Sequence, residues 1–134
     1  MKKICRYRVE KLIRDNTMAR ASKRGAVSIE CTTLARAEHA EALREKLLEE
    51  AQEVCQATSH EELIDELADV LEVCRSMMHM AGIDPQQVET ARAQRYTERG
   101  GFEKGLYCHS IDVEEGSTLD QYYTANSDRY IKIK

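Results

Sequence analysis

The chain has 134 residues and a formal net charge of −4, with 42% hydrophobic and 33% charged residues. This length favours one domain with a single core, and no run of about 18 apolar residues suggests a membrane span. The N-terminal residues break their apolar run with charge too early for a signal peptide. We therefore expect residues 1–134 to form one domain. We also expect the protein to be cytoplasmic, without membrane association.

Cysteine and histidine spacing argues against two kinds of site. The five cysteines are odd in number, widely separated and never arranged as CxxC, and the four histidines form no HExxH pair. We therefore expect reduced, mostly buried thiols, without a disulfide framework or a zinc site.

Charge is unevenly distributed along the chain. Residues 1–24 carry nine Lys or Arg side chains against Glu10 and Asp15, a balance of +7, which leaves −11 for the remainder. A basic arm of this kind is typical of nucleic-acid binding. It equally supplies cations for a phosphorylated small molecule bound near the acids, or it is an ordinary solvated face.

The first predicted elements are a short helix and a short strand. Residues 10–22 have a helical pattern, and Lys23, Arg24 and Gly25 mark its end. The next segment, AVSIECTTL at residues 26–34, alternates and is rich in β-branched residues, which predicts a strand.

Two amphipathic helices follow one another in the middle of the chain. Apolar residues recur at spacings of three and four over about residues 36–57 and again over about 60–80. Ser59 followed by Glu62 predicts a capping box at the start of the second helix. Because the turn at Ala57 to His60 is so short, the two helices should form an antiparallel hairpin.

A third helix should begin at Asp84-Pro85 and end at Gly100, since aspartate caps helices and proline suits their first position. Beyond it, GLYCHSIDV and DRYIKIK alternate polar and apolar residues around Gly116-Ser117. This alternation predicts a hairpin of strands. We therefore predict a mainly α fold, an antiparallel helical hairpin or bundle with a small β-ribbon from the termini.

The acids of the hairpin fall into two pairs. Glu50 and Glu53 are three residues apart on the first helix, and Glu66 and Asp69 are three apart on the second, so each pair projects from one face. Counted from the turn at a rise of about 1.5 Å per residue, the pairs reach similar heights on the two arms. The four carboxylates are therefore able to lie side by side.

A shared site of this kind requires a cation. At about 6 Å each like-charge pair costs about 3 kcal/mol at an effective dielectric near 20. Carboxylate oxygens without thiolates or imidazoles favour Mg²⁺ or Mn²⁺ over zinc. If the acids instead point outward on separate faces, they are ordinary solvated side chains.

Four segments carry a resemblance to a known family. The motif EEAQE followed after twelve residues by ELAD is similar to the EExxE, spacer, ExxD pattern of the MazG-like all-α nucleotide pyrophosphohydrolases. The segments EKLIRD (10–15), LREKLLEEAQEV (43–54), ELADVLEV (66–73) and RGGFEKGL (99–106) stand in the order found in small phosphoribosyl-ATP pyrophosphohydrolase-like members. The resemblance covers roughly residues 8–107 and implies a single MazG-like domain.

The resemblance implies a function and a set of site residues. Such enzymes hydrolyse a nucleoside triphosphate or related nucleotide to the monophosphate and pyrophosphate, using Mg²⁺ held by helical carboxylates. By this likeness Glu50, Glu53, Glu66 and Asp69 are metal ligands, and Glu53, with Glu50, activates the attacking water. The residues that match the family's phosphate-binding cations are Lys11, Arg14, Lys46, Arg99 and Lys104. Arg95 stands where the family usually has lysine, so it keeps the charge but changes its geometry, and we expect it to bind phosphate as well.

Two other classes of function remain open from the sequence. One is a nucleic-acid-binding protein that uses the basic N-terminal arm, which leaves the paired acids unexplained and puts them where they repel phosphate. The other is an inactive helical module that serves interaction or metal sensing. The apolar residues on several sides of the hairpin, together with the resemblance, also predict a homodimer or dimer of dimers, in which basic side chains of one subunit reach the acids of another.

Overall fold

The computed structural model describes every residue from Met1 to Lys134 and contains helices but no β-strand. The chain divides into two compact units, Met1–Gln94 and Arg95–Lys134. The predicted mainly α fold is confirmed, while a single domain over the whole chain stays a prediction. The helices are α1 (Thr17–Lys23), α2 (Arg36–Gln56), α3 (His60–Ala81), α4 (Pro85–Arg99) and α5 (Thr118–Ala125).

Helices α2 and α3 form the predicted hairpin and pack along each other. The Ser59 side chain accepts the backbone amide of Glu62 at 3.1 Å, as expected for an N-cap. The Glu62 carboxylate reaches one residue further back than a standard capping box, to the amide of Thr58 at 2.9 Å and its hydroxyl at 3.1 Å. These bonds fix the short turn that aligns the two arms.

Replacing Ser59 with alanine tests how much this turn contributes. The change removes the side-chain acceptor at the start of α3, so we expect a loss of about 1 kcal/mol in unfolding free energy, seen as a lower melting temperature. Ser28→Ala, in an exposed loop, is the control and should melt like the wild type. Equal melting of Ser59→Ala and the wild type would show that the cap is dispensable.

The boundary between α3 and α4 also follows the prediction. Gly82 ends α3 with a φ of +69°, a conformation that glycine adopts without strain. Asp84 then accepts the amide of Gln86 at 2.9 Å, and the side chain of Gln87 accepts the amide of Asp84 at 3.0 Å. Helix α4 starts at Pro85 and ends one residue before Gly100.

The predicted strand at residues 26–34 and the predicted β-ribbon are wrong, because these segments pair with no second strand. Alternation describes only side-chain pattern, whereas a strand also needs a partner for its backbone groups. Helix α5 forms between the two segments predicted as strands, and there Ser117 accepts the amide of Asp120 at 3.2 Å and Asp120 accepts the amide of Gly116 at 2.8 Å.

The first helix is shorter than predicted. Residues 11–15 lie outside α1, which begins only at Thr17. Lys11 and Arg14, in the part of this segment outside α1, form ion pairs with acids on the hairpin. Exposed pairs of this kind contribute about 1 kcal/mol or less, so they do not by themselves explain the missing helical turn.

The hairpin has a small interior. Leu43 on α2 and Val73 on α3 are the buried apolar side chains, at 4% and 8% exposure. Glu50 is buried as well, at 7%. No helix is both long enough and apolar enough to cross a lipid bilayer. The interior of the hairpin therefore places a carboxylate next to its apolar core.

Candidate metal centre

The hairpin brings the four predicted acids together. Glu50 and Glu53 on α2 face Glu66 and Asp69 on α3, and one carboxylate oxygen from each lies within 4.8 Å of those of the others. This proximity follows from the three-residue spacing on each helix and from the antiparallel packing of the arms. The arrangement resembles a ligand set for one or more cations.

Burial makes this cluster unusual among acidic groups. The side chain of Glu50 is 9% exposed, and one oxygen each of Glu50 and Glu66, both Oε2, is buried without a hydrogen-bond donor. An unsatisfied buried polar atom costs about 1–3 kcal/mol, and more when it is charged. The orphaned oxygens point to a missing positive partner, and a divalent cation fits their hard oxygen chemistry.

The electrostatics of the cluster agree with its burial. Desolvation, followed by the charge of Glu53, raises the pKa of Glu50. A hydrogen bond with Glu66, followed by desolvation, raises the pKa of Glu53. Both carboxyls therefore hold protons more tightly than free glutamate does, as expected for like charges gathered without a cation.

Three of the predicted phosphate-binding cations contact acids of the hairpin. Arg14 donates to Asp69 at 2.6 Å, and Lys46 lies 3.5 Å from Glu50. Lys11 lies 3.0 Å from Glu49, which Lys46 also approaches at 3.4 Å. The Lys11 contact lowers the pKa of Glu49. These cations offset part of the negative charge around the cluster.

The other three predicted cations, Arg95, Arg99 and Lys104, belong to the C-terminal unit. Their part in phosphate binding remains a prediction based on the family resemblance. The same holds for the roles of the four acids as ligands and of Glu53 and Glu50 in catalysis.

A cleft of about 990 Å³ opens from the acid cluster along the hairpin. Glu50, Asp69, Arg14 and Lys46 line one part of it, and the buried Leu43 and Val73 line it further along. This cleft was not predicted from the sequence, although helical spacing indicates which residues share its walls. Lys46 and Leu43 lie one and two turns before Glu50 on the same face of α2. Val73 lies one turn after Asp69 on the same face of α3.

Fold and site together define an all-α protein whose central hairpin carries a compact carboxylate cluster of metal-binding chemistry. The family described as phosphoribosyl-ATP pyrophosphohydrolase matches residues 17–95, more than half of the chain, and the chain belongs to that family. The predicted relationship to the MazG-like pyrophosphohydrolases is thereby confirmed. No curated protein and no solved structure matches the chain.

Family membership makes the protein a pyrophosphohydrolase, a hydrolase that acts on phosphoanhydride bonds. Relatives of this type generally use divalent metals. The matched range contains all four clustered acids, whereas the segments 10–15 and 99–106, which also supported the resemblance, lie entirely outside it.

Proposed function

We propose that the protein hydrolyses a nucleoside triphosphate, or a related nucleotide, to the monophosphate and pyrophosphate in a Mg²⁺-dependent reaction. One observation carries this proposal: four carboxylates lie within 4.8 Å of one another at a cleft large enough for a nucleotide. The family match supports the same reaction class.

Glu50, Glu53, Glu66 and Asp69 would hold Mg²⁺, with Mn²⁺ as a substitute, because all four present hard oxygen ligands. When bound, such an ion offsets the negative charge that develops on the phosphoryl oxygens. The two orphaned oxygens of Glu50 and Glu66 support this assignment, because each lacks a partner that a cation would supply.

Glu53 is suited to take the proton of the attacking water. Its carboxylate lies within 4.8 Å of those of the other three acids, and its half-buried position leaves it accessible to a water molecule at the cluster. Water oxygen bonds to the α-phosphorus, the bond from that phosphorus to the bridging oxygen breaks, and pyrophosphate leaves. Glu50 assists by orienting the water from the neighbouring turn.

Lys11, Arg14 and Lys46 would bind the substrate phosphates. These three already contact acids at the cluster, so their charge is available at that end of the cleft. Four of the five free cysteines are exposed and Cys74 is half-buried, so the expectation of mostly buried thiols is wrong. Reduced thiols fit a cytoplasmic location.

A homodimer, or a dimer of dimers, is part of this proposal. Large apolar side chains of the hairpin, such as Leu48 on α2 and Leu71 on α3, are 69% and 65% exposed within one copy. Much apolar surface of the hairpin is therefore exposed to solvent within one copy. A specific dimer needs only about 800 Å² from each partner, so a second copy has ample surface to bury.

Helix α3 offers the most regular surface for that second copy. Ile64, Leu67 and Leu71 are 56%, 46% and 65% exposed. At about 100° per residue they form one stripe on the side of α3 opposite Val73 and Asp69. Such a stripe matches the self-complementary helix packing expected of a twofold dimer.

A pyrophosphate-release screen tests the proposed reaction. Canonical and damaged nucleoside triphosphates are incubated with Mg²⁺, with Mn²⁺ or with a chelator, and pyrophosphate and monophosphate are quantified. We expect equal amounts of both products from at least one nucleotide, and none with the chelator. No release across the panel would favour the inactive interaction or metal-sensing module.

A further inference from the structure

The cleft changes character along its length. Near the acid cluster its walls are charged, with Arg14, Lys46, Glu50 and Asp69. Towards the open ends of α2 and α3 the lining is mostly apolar or neutral, with Leu43, Val73, Met80 and Ile83 beside His39, Ser76 and His79, although the charged Arg36 and Arg75 also line this part. A charged part at the acids and a further part with apolar walls and hydrogen-bonding groups match the two ends of a nucleotide, its phosphates and its base.

Distances along the hairpin fit the same direction. Leu43 precedes Glu50 by seven residues and Ser76 follows Asp69 by seven, which places both about 10 Å from the acids at 1.5 Å per residue. His39 lies one further turn along α2. A ribose therefore has room between the acids and these side chains, and the base falls beside Leu43, Val73 and Ser76.

The polar groups in this part of the cleft are free to meet a ligand. Ser76 and His39 are half-buried, and neither side chain hydrogen-bonds to another protein group. Arg36, by contrast, is occupied, because it donates to the carbonyl of Met80 at 3.1 Å and ties the ends of α2 and α3 together. Half-buried donors and acceptors without partners give a pocket its selectivity.

We propose that this part of the cleft binds the nucleobase of the substrate, with Leu43 and Val73 against the ring and with Ser76 and His39 as the specificity-determining residues. The inference rests on the proposed function, since the charged end of the cleft takes the phosphates. It adds the orientation of the nucleotide and the side chains that discriminate between bases.

Calorimetric titration of the full-length protein with AMP, GMP, CMP and UMP in the presence of Mg²⁺ tests this assignment. The wild type should bind at least one of them preferentially. Ser76→Ala and His39→Ala should each reduce the ratio between the best and the worst monophosphate by about fivefold to tenfold, the effect of one lost hydrogen bond. His60→Ala, at the exposed start of α3 and outside the cleft, should leave the ratio unchanged.

A blocking variant supplies an independent readout. Ser76→Leu fills the cleft beside Val73, so it should abolish binding of the monophosphates while Mn²⁺ binding at the acids stays at the wild-type level. Ser28→Leu, in an exposed loop outside the cleft, is the matched control. The retained Mn²⁺ binding shows that the hairpin of the blocked variant is folded.

Three results would overturn the inference: no monophosphate binds the wild type at millimolar concentration, both alanine variants keep the wild-type preference, or Ser76→Leu binds as the wild type does. Binding is measured without turnover, so the two proposals fail separately. Selective binding without pyrophosphate release from any nucleotide would contradict the proposed reaction alone. Pyrophosphate release with unchanged base preference in the variants would contradict the base site alone.

Discussion

Glu50→Gln should reduce Mg²⁺-supported pyrophosphate release by on the order of 100-fold or more, while the protein stays folded. The substitution keeps the size of the side chain but removes the charge of the most buried acid in the cluster. In chelator the same variant should melt at a higher temperature than the wild type. Its amide can donate to the neighbouring carboxylates, where the wild type has an unsatisfied oxygen.

The pH dependence of unfolding gives this prediction a second readout. The folded protein holds the Glu50 proton more tightly than the unfolded chain, because burial raises the pKa of this carboxyl. Folding then binds protons, so the stability of the metal-free wild type should fall as pH rises above the ordinary pKa of glutamate. Glu50→Gln lacks this group and should lose less stability over the same interval.

Two comparison variants make the result specific to the cluster. Asp69→Asn should also lose turnover by orders of magnitude, with metal-free stability unchanged or slightly higher, because its exposed pairing with Arg14 contributes little. Glu61→Gln, exposed on the first turn of α3, should keep wild-type activity and stability. Near-normal pyrophosphate release by Glu50→Gln, or an equal loss of activity in Glu61→Gln, would show that the acids are ordinary solvated side chains and not a metal site.

Leu71→Arg should convert the proposed dimer into a monomer of lower stability. Leu71 is 65% exposed in one copy and is the most exposed residue of the apolar stripe on α3, so an arginine would bury a charge at the contact. Sedimentation at micromolar concentration should give twice the 15.3 kDa chain mass, or four times that mass for a dimer of dimers, for the wild type and the single mass for the variant.

Val27→Arg is the control for this experiment, because Val27 is 76% exposed in a loop away from the stripe. It should sediment as the wild type does. A wild-type protein that sediments as a monomer at micromolar concentration would contradict the dimer proposal. If the dimer forms but Leu71→Arg leaves it intact, the interface lies on another surface.

The helical hairpin and its acid cluster were predictable because both depend on local spacing. Apolar residues at spacings of three and four positions determine which faces of α2 and α3 meet, and Ser59 determines where α3 starts. Once the turn is short, the positions of Glu50 and Asp69 relative to each other follow from helix geometry. Their proximity therefore needed no knowledge of the rest of the chain.

The wrong and missing elements depend on contacts that are distant in sequence or on weak local signals. Residues 26–34 alternate like a strand, but no other segment pairs with them. Residues 11–15 have a helical pattern but lie outside α1, and the exposed ion pairs of Lys11 and Arg14 do not by themselves explain this. Helix α5 was not predicted, although Ser117 and Asp120 supply a capping signal at its start; it lies between the two alternating segments that were predicted as strands.

Direct binding of Mn²⁺ tests the central claim most closely. Free Mn²⁺ gives a sharp electron paramagnetic resonance signal that weakens when the ion binds protein, so the metal-free protein can be titrated without any substrate. If the four carboxylates form a metal centre, the wild type and Glu61→Gln should bind Mn²⁺, and Glu50→Gln should bind it much more weakly. Equal Mn²⁺ binding by Glu50→Gln and the wild type, or no binding by any of the three, would contradict a metal centre at these four carboxylates.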